Sequence, residues 1–176
     1  MSVPFVGLAE AHALAAIRRS GVPLQRIRPA LKRLDDELGI AHVLASRALY
    51  TDGAKVLYDF AEAEGDTPEA RSARELVVVR NGQRVFNDVI DDYLRRVDFA
   101  SDGWARRIHL PRYGAADVVV DPKRAFGAPI FSHGAVGVET VIASFKTGTD
   151  LQQLTEEFGV PQDDLLSVLR VHTEAA

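Results

Sequence analysis

The sequence predicts a mostly helical α+β fold, and three observations support this. Apolar residues recur at helical spacing near both ends of the chain, and an Asn-Gly pair between two extended runs predicts a hairpin in the middle. Apolar residues make up 47% of the 176 residues, which is enough for a buried core. We therefore expect an N-terminal helical segment, central β-hairpins with one helix, and a C-terminal three-helix module with a helix-turn-helix outline.

Two helices are predicted at the N-terminal end. The first covers residues 8–19, and the second runs from Pro23 to Gly39 because its leucines and isoleucine recur at spacings of three and four. Pro29 lacks the backbone N–H that a helix interior uses, so we expect a kink or a restart there.

Asp52-Gly53 predicts a first hairpin over residues 49–60, because this pair favours a tight turn between extended runs. Residues 61–72 contain a glycine, a proline and several charged side chains. We interpret them as a polar linker that marks a domain boundary.

The strongest hairpin signal is Asn81-Gly82, and Asn87 is predicted to cap the helix that follows. The elements predicted around these residues are strands at 76–80 and 83–86, a helix at 88–97, and strands at 104–113 and 118–120. The predicted domains are an N-terminal helical segment with a hairpin at 1–60, the linker at 61–72, a central region at 73–117 and a C-terminal module at 118–176.

Three short amphipathic helices are predicted in the C-terminal module. The second is expected to open with a capping box at Thr149 and to end at Gly159, and Pro161 is expected to start the third. A helix-turn-helix unit of this kind either binds DNA or dimerises. Asp163 and Asp164 lie at the start of its second helix and repel phosphates, which favours dimerisation or packing.

Charge is unevenly distributed along the chain, although the net charge is only −4. Residues 1–47 carry seven Lys and Arg against four Asp and Glu, residues 95–124 have the same balance, and residues 138–176 carry two against seven. The basic N-terminal part is therefore the better candidate for phosphate contacts, with a solvated basic face as the alternative. The predicted DNA-binding residues are Arg18, Arg19, Arg26, Arg28 and Arg33.

A second basic cluster consists of Trp104, Arg106, Arg107 and Arg112 on the strand predicted at 104–113. A tryptophan beside several arginines is typical of protein interfaces. The alternative is an edge strand that charge protects from further pairing.

Enzyme chemistry has little support in this sequence. The chain has no Cys, its five His stand at no metal-ligand spacing, and it has no glycine-rich phosphate loop. We therefore predict no enzyme activity, no metal and no cofactor. The absence of an 18-residue apolar run and of a leader-like N-terminus predicts a cytoplasmic protein without a membrane contact.

The last third of the chain resembles the bacterial domain of unknown function 433. The residues that carry this resemblance are Asp121-Pro122, Gly127-x-Pro129, Val138-Glu139, Phe145, Gly148, Leu154, Phe158-Gly159 and Pro161. Further upstream, residues 21–28, 44–47 and 50–53 look like the longer members, in which a MerR-like segment precedes the module.

The resemblance implies an antitoxin of the VapB type, which binds and inhibits a PIN-domain ribonuclease toxin and represses its own operon through DNA. The implied toxin has an acidic metal site, which the cluster from Trp104 to Arg112 would neutralise. A homodimer is expected. The alternative is a stand-alone MerR-like transcription regulator without a toxin partner.

Overall fold

The computed structural model describes residues 4–173, and the chain divides into two compact units, Met1–Ala105 and Arg106–Ala176. The outer ends of the predicted segments 1–60 and 118–176 therefore lie outside the described residues. Within the described range, the mostly helical α+β class is confirmed by eight α-helices and six short strands. No helix in that range is long and apolar enough to cross a bilayer.

The first unit is helical with one hairpin. Its elements are α1 (Phe5–Arg19), α2 (Leu24–Leu38), α3 (Arg47–Ala63), α4 (Pro68–Leu76), β1 (Val77–Arg80), β2 (Gln83–Phe86), α5 (Asp88–Leu94) and β3 (Val97–Phe99).

Both predicted N-terminal helices are confirmed, and α1 begins three residues earlier than expected. Gly39 ends α2 in the left-handed conformation, with φ 61°, and its N–H donates to the carbonyl of Asp35. The helix passes through Pro29 as one element, so the restart expected there is absent. The inward face of α2 consists of Ile27, Ala30 and Leu34, which are fully buried.

The hairpin predicted over residues 49–60 is wrong, because these residues belong to α3. The buried residues of α3 recur at helical rather than alternating spacing: Leu49, Gly53, Ala54, Val56, Leu57, Phe60 and Ala61. Gly53 serves packing and not a turn. A Cβ built on it would lie 3.1 Å from Cζ of Phe86, so glycine lets the aromatic ring of β2 rest on α3.

The linker predicted at 61–72 is also wrong as an element. Helix α3 continues to Ala63, and α4 starts at Pro68 after a turn of four residues. The hydroxyl oxygen of Thr67 accepts from the N–H of Ala70 at 3.1 Å and caps α4. The chain divides after Ala105 instead.

The hairpin at Asn81-Gly82 is confirmed. Strands β1 and β2 pair antiparallel from Val77 opposite Phe86 to Arg80 opposite Gln83. Asn87 caps α5 as predicted, because its side-chain oxygen accepts from the N–H of Ile90 at 3.1 Å. The helix is shorter than predicted, since it ends at Leu94 and Val97 starts a strand.

The second unit packs three helices on short strands. Its elements are the strands β4 (Ala105–His109), β5 (Val118–Val120) and β6 (Ile130–Phe131), followed by the helices α6 (Val138–Lys146), α7 (Leu151–Phe158) and α8 (Gln162–Thr173). Strand β5 pairs antiparallel with both β4 and β6. The strand predicted over 104–113 is thus shorter, and a 3-10 turn follows it at Pro111–Tyr113.

The three C-terminal helices and their helix-turn-helix outline are confirmed. The core of this unit contains Phe131, Val141, Leu154 and Leu165, all fully buried. The capping box predicted at Thr149 is wrong. Asp150 caps α7 instead, since its carboxylate accepts from the N–H of Gln153 at 2.8 Å.

Candidate nucleic-acid and protein interfaces

Helices α1 and α2 form a helix-turn-helix in the first unit. The turn covers residues 20–23, and Val22 anchors it by burying its side chain to 2% exposure. Ile17 of α1 and Ile27 of α2 are buried against the same core, and the face of α2 opposite Ile27 is exposed. Sequence patterns had located the basic side chains here but not this motif, although a glycine-proline turn between two helices is its signature.

The charges of α2 are sorted along its axis. Four cations lie in its N-terminal ten residues and three carboxylates in its C-terminal half: Arg26, Arg28, Lys32 and Arg33, then Asp35, Asp36 and Glu37. All seven side chains are exposed. The helix dipole favours the opposite order, with acids first and bases last. The arrangement therefore costs stability to the isolated helix.

The cations line both edges of the exposed face of α2. Arg28 and Lys32 are one turn apart on one edge, and Arg26 and Arg33 are two turns apart on the other. The guanidinium of Arg33 donates to Glu37 at 2.5 Å. Within residues 4–173, Arg26 and Arg28 have no carboxylate at ion-pair distance, and their charge is available to a ligand.

Arg18 and Arg19 have a structural explanation that Arg26 and Arg28 of α2 lack. They lie in the last turn of α1, where positive charge stabilises the helix dipole. The guanidinium of Arg19 also lies 5.4 Å from the ring centroid of Tyr93. Both side chains are exposed and remain within the predicted DNA-binding set, as flanking charges.

The histidine in this unit with a perturbed titration serves the fold. Burial lowers the pKa of His12, the charge of Arg96 lowers the pKa further, and the hydrogen bond to the carbonyl of Tyr93 opposes both effects. The Nε2 atom lies 2.8 Å from that carbonyl oxygen, so the neutral ring donates its N–H there. Among the described residues, no three His, Asp or Glu side chains are grouped so that they could hold a metal ion.

The four residues of the second basic cluster differ in their surroundings. Trp104 is half-buried at the end of the first unit, where it bridges to Ser46. Arg107 is 18% exposed and lies 3.6 Å from the carboxylate of Asp121, which is itself buried. Arg106 and Arg112 are exposed in the second unit. Arg107 is thus a structural arginine, whereas Arg106 on β4 and Arg112 in the 3-10 turn after it face solvent.

The C-terminal helix-turn-helix has the charge order that stabilises helices. Asp163 and Asp164 lie in the first turn of α8, and Arg170 and His172 lie in its last turn. Asp164 also accepts from the backbone N–H of Asp117 at 3.4 Å. The acids that disfavour DNA binding therefore stabilise the unit itself.

Comparisons with known proteins match the N-terminal and the C-terminal part of the chain to different families. Residues 1–31 match a family model described as "Putative DNA-binding HTH domain", and residues 118–170 match the one described as "Protein of unknown function (DUF433)". The first match covers α1 and the basic start of α2, and the second runs from β5 into α8.

One similar protein is "Putative antitoxin VapB45" of Mycobacterium tuberculosis (strain ATCC 25618 / H37Rv). It is 45% identical over 168 residues, which are 95% of this chain and 70% of the relative. The crystal structure of Rv2018 from Mycobacterium tuberculosis has a TM-score of 0.88 at 44% identity, over 95% of this chain and 78% of that one. Since both the helix-turn-helix and the DUF433 module lie within the matched length, the chain belongs to the family of VapB-type antitoxins that carry domain of unknown function 433.

Proposed function

We propose that this antitoxin acts in the cytoplasm, binds operator DNA through the α1–α2 helix-turn-helix, and inhibits a PIN-domain ribonuclease toxin. The charge order of α2 supports the DNA-binding part. In DNA-binding examples, the N-terminal residues of the second helix contact base edges and phosphates. The exposed Arg26 and Arg28 occupy that position, and Arg33 extends the basic edge.

Salt-dependent binding tests this part. The probe is duplex DNA from the region upstream of the gene, and its affinity is measured by fluorescence anisotropy at several salt concentrations. Replacing Arg26, Arg28 and Arg33 by Ala should lower the affinity and flatten the plot of log K against log salt, by about 0.9 for each lost phosphate contact.

Asp163→Asn is the matched control, because it removes an exposed charge at the start of the other helix-turn-helix. It should leave the affinity unchanged or raise it slightly. Loss of binding in this variant, together with wild-type behaviour of the arginine variant, would assign DNA binding to the C-terminal module instead.

The toxin-binding part rests on the exposed arginines at and after β4. Arginine pairs with carboxylates through two parallel hydrogen bonds, and truncating one member of a buried pair typically costs about 2 to 5 kcal/mol. Arg106 and Arg112 are exposed and suited to this, with Trp104 as a neighbouring apolar contact along the chain. Arg107 is already paired with Asp121 and is assigned to the fold.

Co-expression with the product of the adjacent open reading frame tests the toxin-binding part. Arg106→Ala, Arg112→Ala and Trp104→Ala are compared with the wild type for growth arrest and RNA cleavage, with circular dichroism as the check on folding. At least one folded variant should restore ribonuclease activity. Full neutralisation by all three would exclude these residues, and a neighbour that the wild type fails to neutralise would favour a stand-alone regulator.

A further inference from the structure

Phe126 is the most exposed large apolar side chain among the described residues. It lies in the loop between β5 and β6, and its relative exposure is 107%. The next value in that group is 61%, for Val79 in the β1–β2 hairpin. A phenylalanine without any packing does not stabilise the core, and an exposed apolar side chain of this size indicates a contact with another molecule.

The backbone holds Phe126 in an unusual conformation. Ala125 and Phe126 both have positive φ, 45° and 53°, a backbone conformation that residues other than glycine rarely adopt. Such a conformation persists only where the surroundings enforce it, and it is concentrated at binding sites.

Hydrogen bonds along the loop enforce this conformation. The N–H of Arg124 donates to the carbonyl of Asp121 at 3.0 Å, and the N–H of Gly127 donates to that of Arg124 at 2.9 Å. The buried carboxylate of Asp121 also accepts from the N–H of Lys123 at 2.9 Å. The loop is thus anchored to the core at its base, and its backbone holds Phe126 at the surface.

The charges beside Phe126 indicate the chemistry of a partner. Lys123 is exposed and Arg124 is half-exposed on the same loop. Residues 106–176 as a whole carry seven Lys and Arg against nine Asp and Glu, and this loop ends the basic part of the unit, since residues 138–176 carry two against seven. An acidic unit disfavours nucleic acid, whose binding depends on many cations. A protein partner with an apolar pocket and carboxylates at the rim of that pocket would fit both the ring and the two charges.

We propose that the loop at 122–128 is a docking point for the toxin, with the Phe126 ring inserted into an apolar pocket that has an acidic rim. This inference rests on the proposed function, since it takes the toxin as the partner. A buried aromatic anchor carries much of the affinity of an interface, and a loop whose backbone is already held by hydrogen bonds loses little backbone freedom on binding.

Affinity measurements on the full chain test the inference. The probe is the purified product of the adjacent open reading frame, titrated in a calorimeter. Phe126→Ala should weaken the affinity by about thirtyfold or more, as expected for an anchor residue, while the melting temperature stays unchanged because the ring has no packing to lose. Phe126→Trp should keep most of the affinity, and Lys123→Glu should lower the affinity most at low salt.

Phe145→Ala is the matched control, since Phe145 is a phenylalanine of the same unit that is 39% exposed on α6. Its affinity for the probe should stay within about twofold of the wild type. Equal affinities of Phe126→Ala and the wild type would overturn the inference and leave the proposed function standing, whereas no binding by the wild type would overturn both.

Two further outcomes would assign Phe126 to another partner. If Phe126→Ala turned a wild-type dimer into a monomer in light scattering while its affinity for the probe stayed unchanged, a second copy of the chain would be the occupant. If it weakened only the binding of upstream DNA, the occupant would be nucleic acid. Either result overturns docking to the toxin.

Discussion

At Gly134 the loop before α6 passes so close to the end of α7 that a side chain has no room. A Cβ built on Gly134 would lie 2.0 Å from the carbonyl oxygen of Phe158, and the φ of Gly134 is +77°. The obstacle is backbone at a helix end, which cannot rotate away as a side chain can. The loop can therefore pack this closely on the helix only because residue 134 is a glycine, which has no Cβ.

Gly134→Ala should lower the free energy of unfolding by about 2 to 4 kcal/mol, since strain at positive φ adds to the overlap. Urea unfolding followed by circular dichroism measures this. Gly159→Ala is the control, because it has a similar φ of +65° with no atom within 4 Å of the built Cβ. It should lose about 1 kcal/mol. Equal losses in the two variants would show that the loop does not contact α7 so closely.

Arg107 and Arg106 are adjacent in the chain but should respond differently to truncation. Arg107→Ala leaves the buried carboxylate of Asp121 without its cation, and we expect a loss of about 3 kcal/mol in the free energy of unfolding. Arg106→Ala removes an exposed side chain and should leave thermal unfolding unchanged. A stable Arg107→Ala variant that fails to neutralise the toxin would return Arg107 to the docking surface.

At the scale of the element, the charges at the two ends of α2 make the isolated helix less stable than a helix of the same length with favourable end charges. Its first turn has no acid and its last turn has no base, whereas α8 has both. The two helix-turn-helix motifs of the chain therefore differ in what their charges favour. In α8 they favour the folded helix, and in α2 they oppose it, which fits the anionic ligand proposed for this helix.

Arg26→Ala and Arg28→Ala should therefore change stability and DNA affinity in opposite directions. Removing a cation from the start of α2 relieves its repulsion with the helix dipole, and the melting temperature should rise by about 1 to 3 °C. The affinity for upstream DNA should fall in the same proteins. Differential scanning calorimetry and anisotropy measure the two effects, and a decrease in both would mean that these arginines stabilise the fold.

The elements also show how far sequence patterns reach. Asn81-Gly82 and Asp52-Gly53 are the same kind of turn signal, yet only the first forms a hairpin. The apolar residues around the second recur at helical spacing, which is visible in the sequence and is a stronger signal than the dipeptide. The packing of Phe86 on Gly53 is a contact between residues 33 positions apart, which local patterns cannot reveal.

The candidate sites were predictable in part for similar reasons. The basic residues of the N-terminal part are evident from the sequence. Their unfavourable interaction with the helix dipole can be inferred once the first residue of α2 is known. The pairing of Arg107 with Asp121 depends on the register of β4 and β5, in which Ile108 stands opposite Val120. The exposure of Phe126 depends on backbone angles that an Ala-Phe-Gly sequence does not specify.

At the scale of the whole molecule, we expect a homodimer. The second unit spans only 71 residues, Arg106–Ala176, and small units bury a modest fraction of their surface alone. A twofold-symmetric dimer is the commonest way to cover more of it, and it also suits a palindromic operator. Light scattering at tens of micromolar should give twice the 19.2 kDa mass of the chain, and a monomer under these conditions would contradict the expectation.

If the protein binds operator DNA as proposed, the reversed charge order of α2 couples that binding to the folding of the helix. Phosphates supply the negative charge that the start of this helix lacks, so DNA binding and helix formation favour one another. Thermodynamic linkage makes the effect reciprocal: the factor by which folding of the helix strengthens DNA binding is the factor by which bound DNA stabilises the folded helix. The backbone amides of α2 should therefore exchange with solvent faster in the free protein than in the DNA complex. The DNA-bound form should also be the harder of the two to unfold.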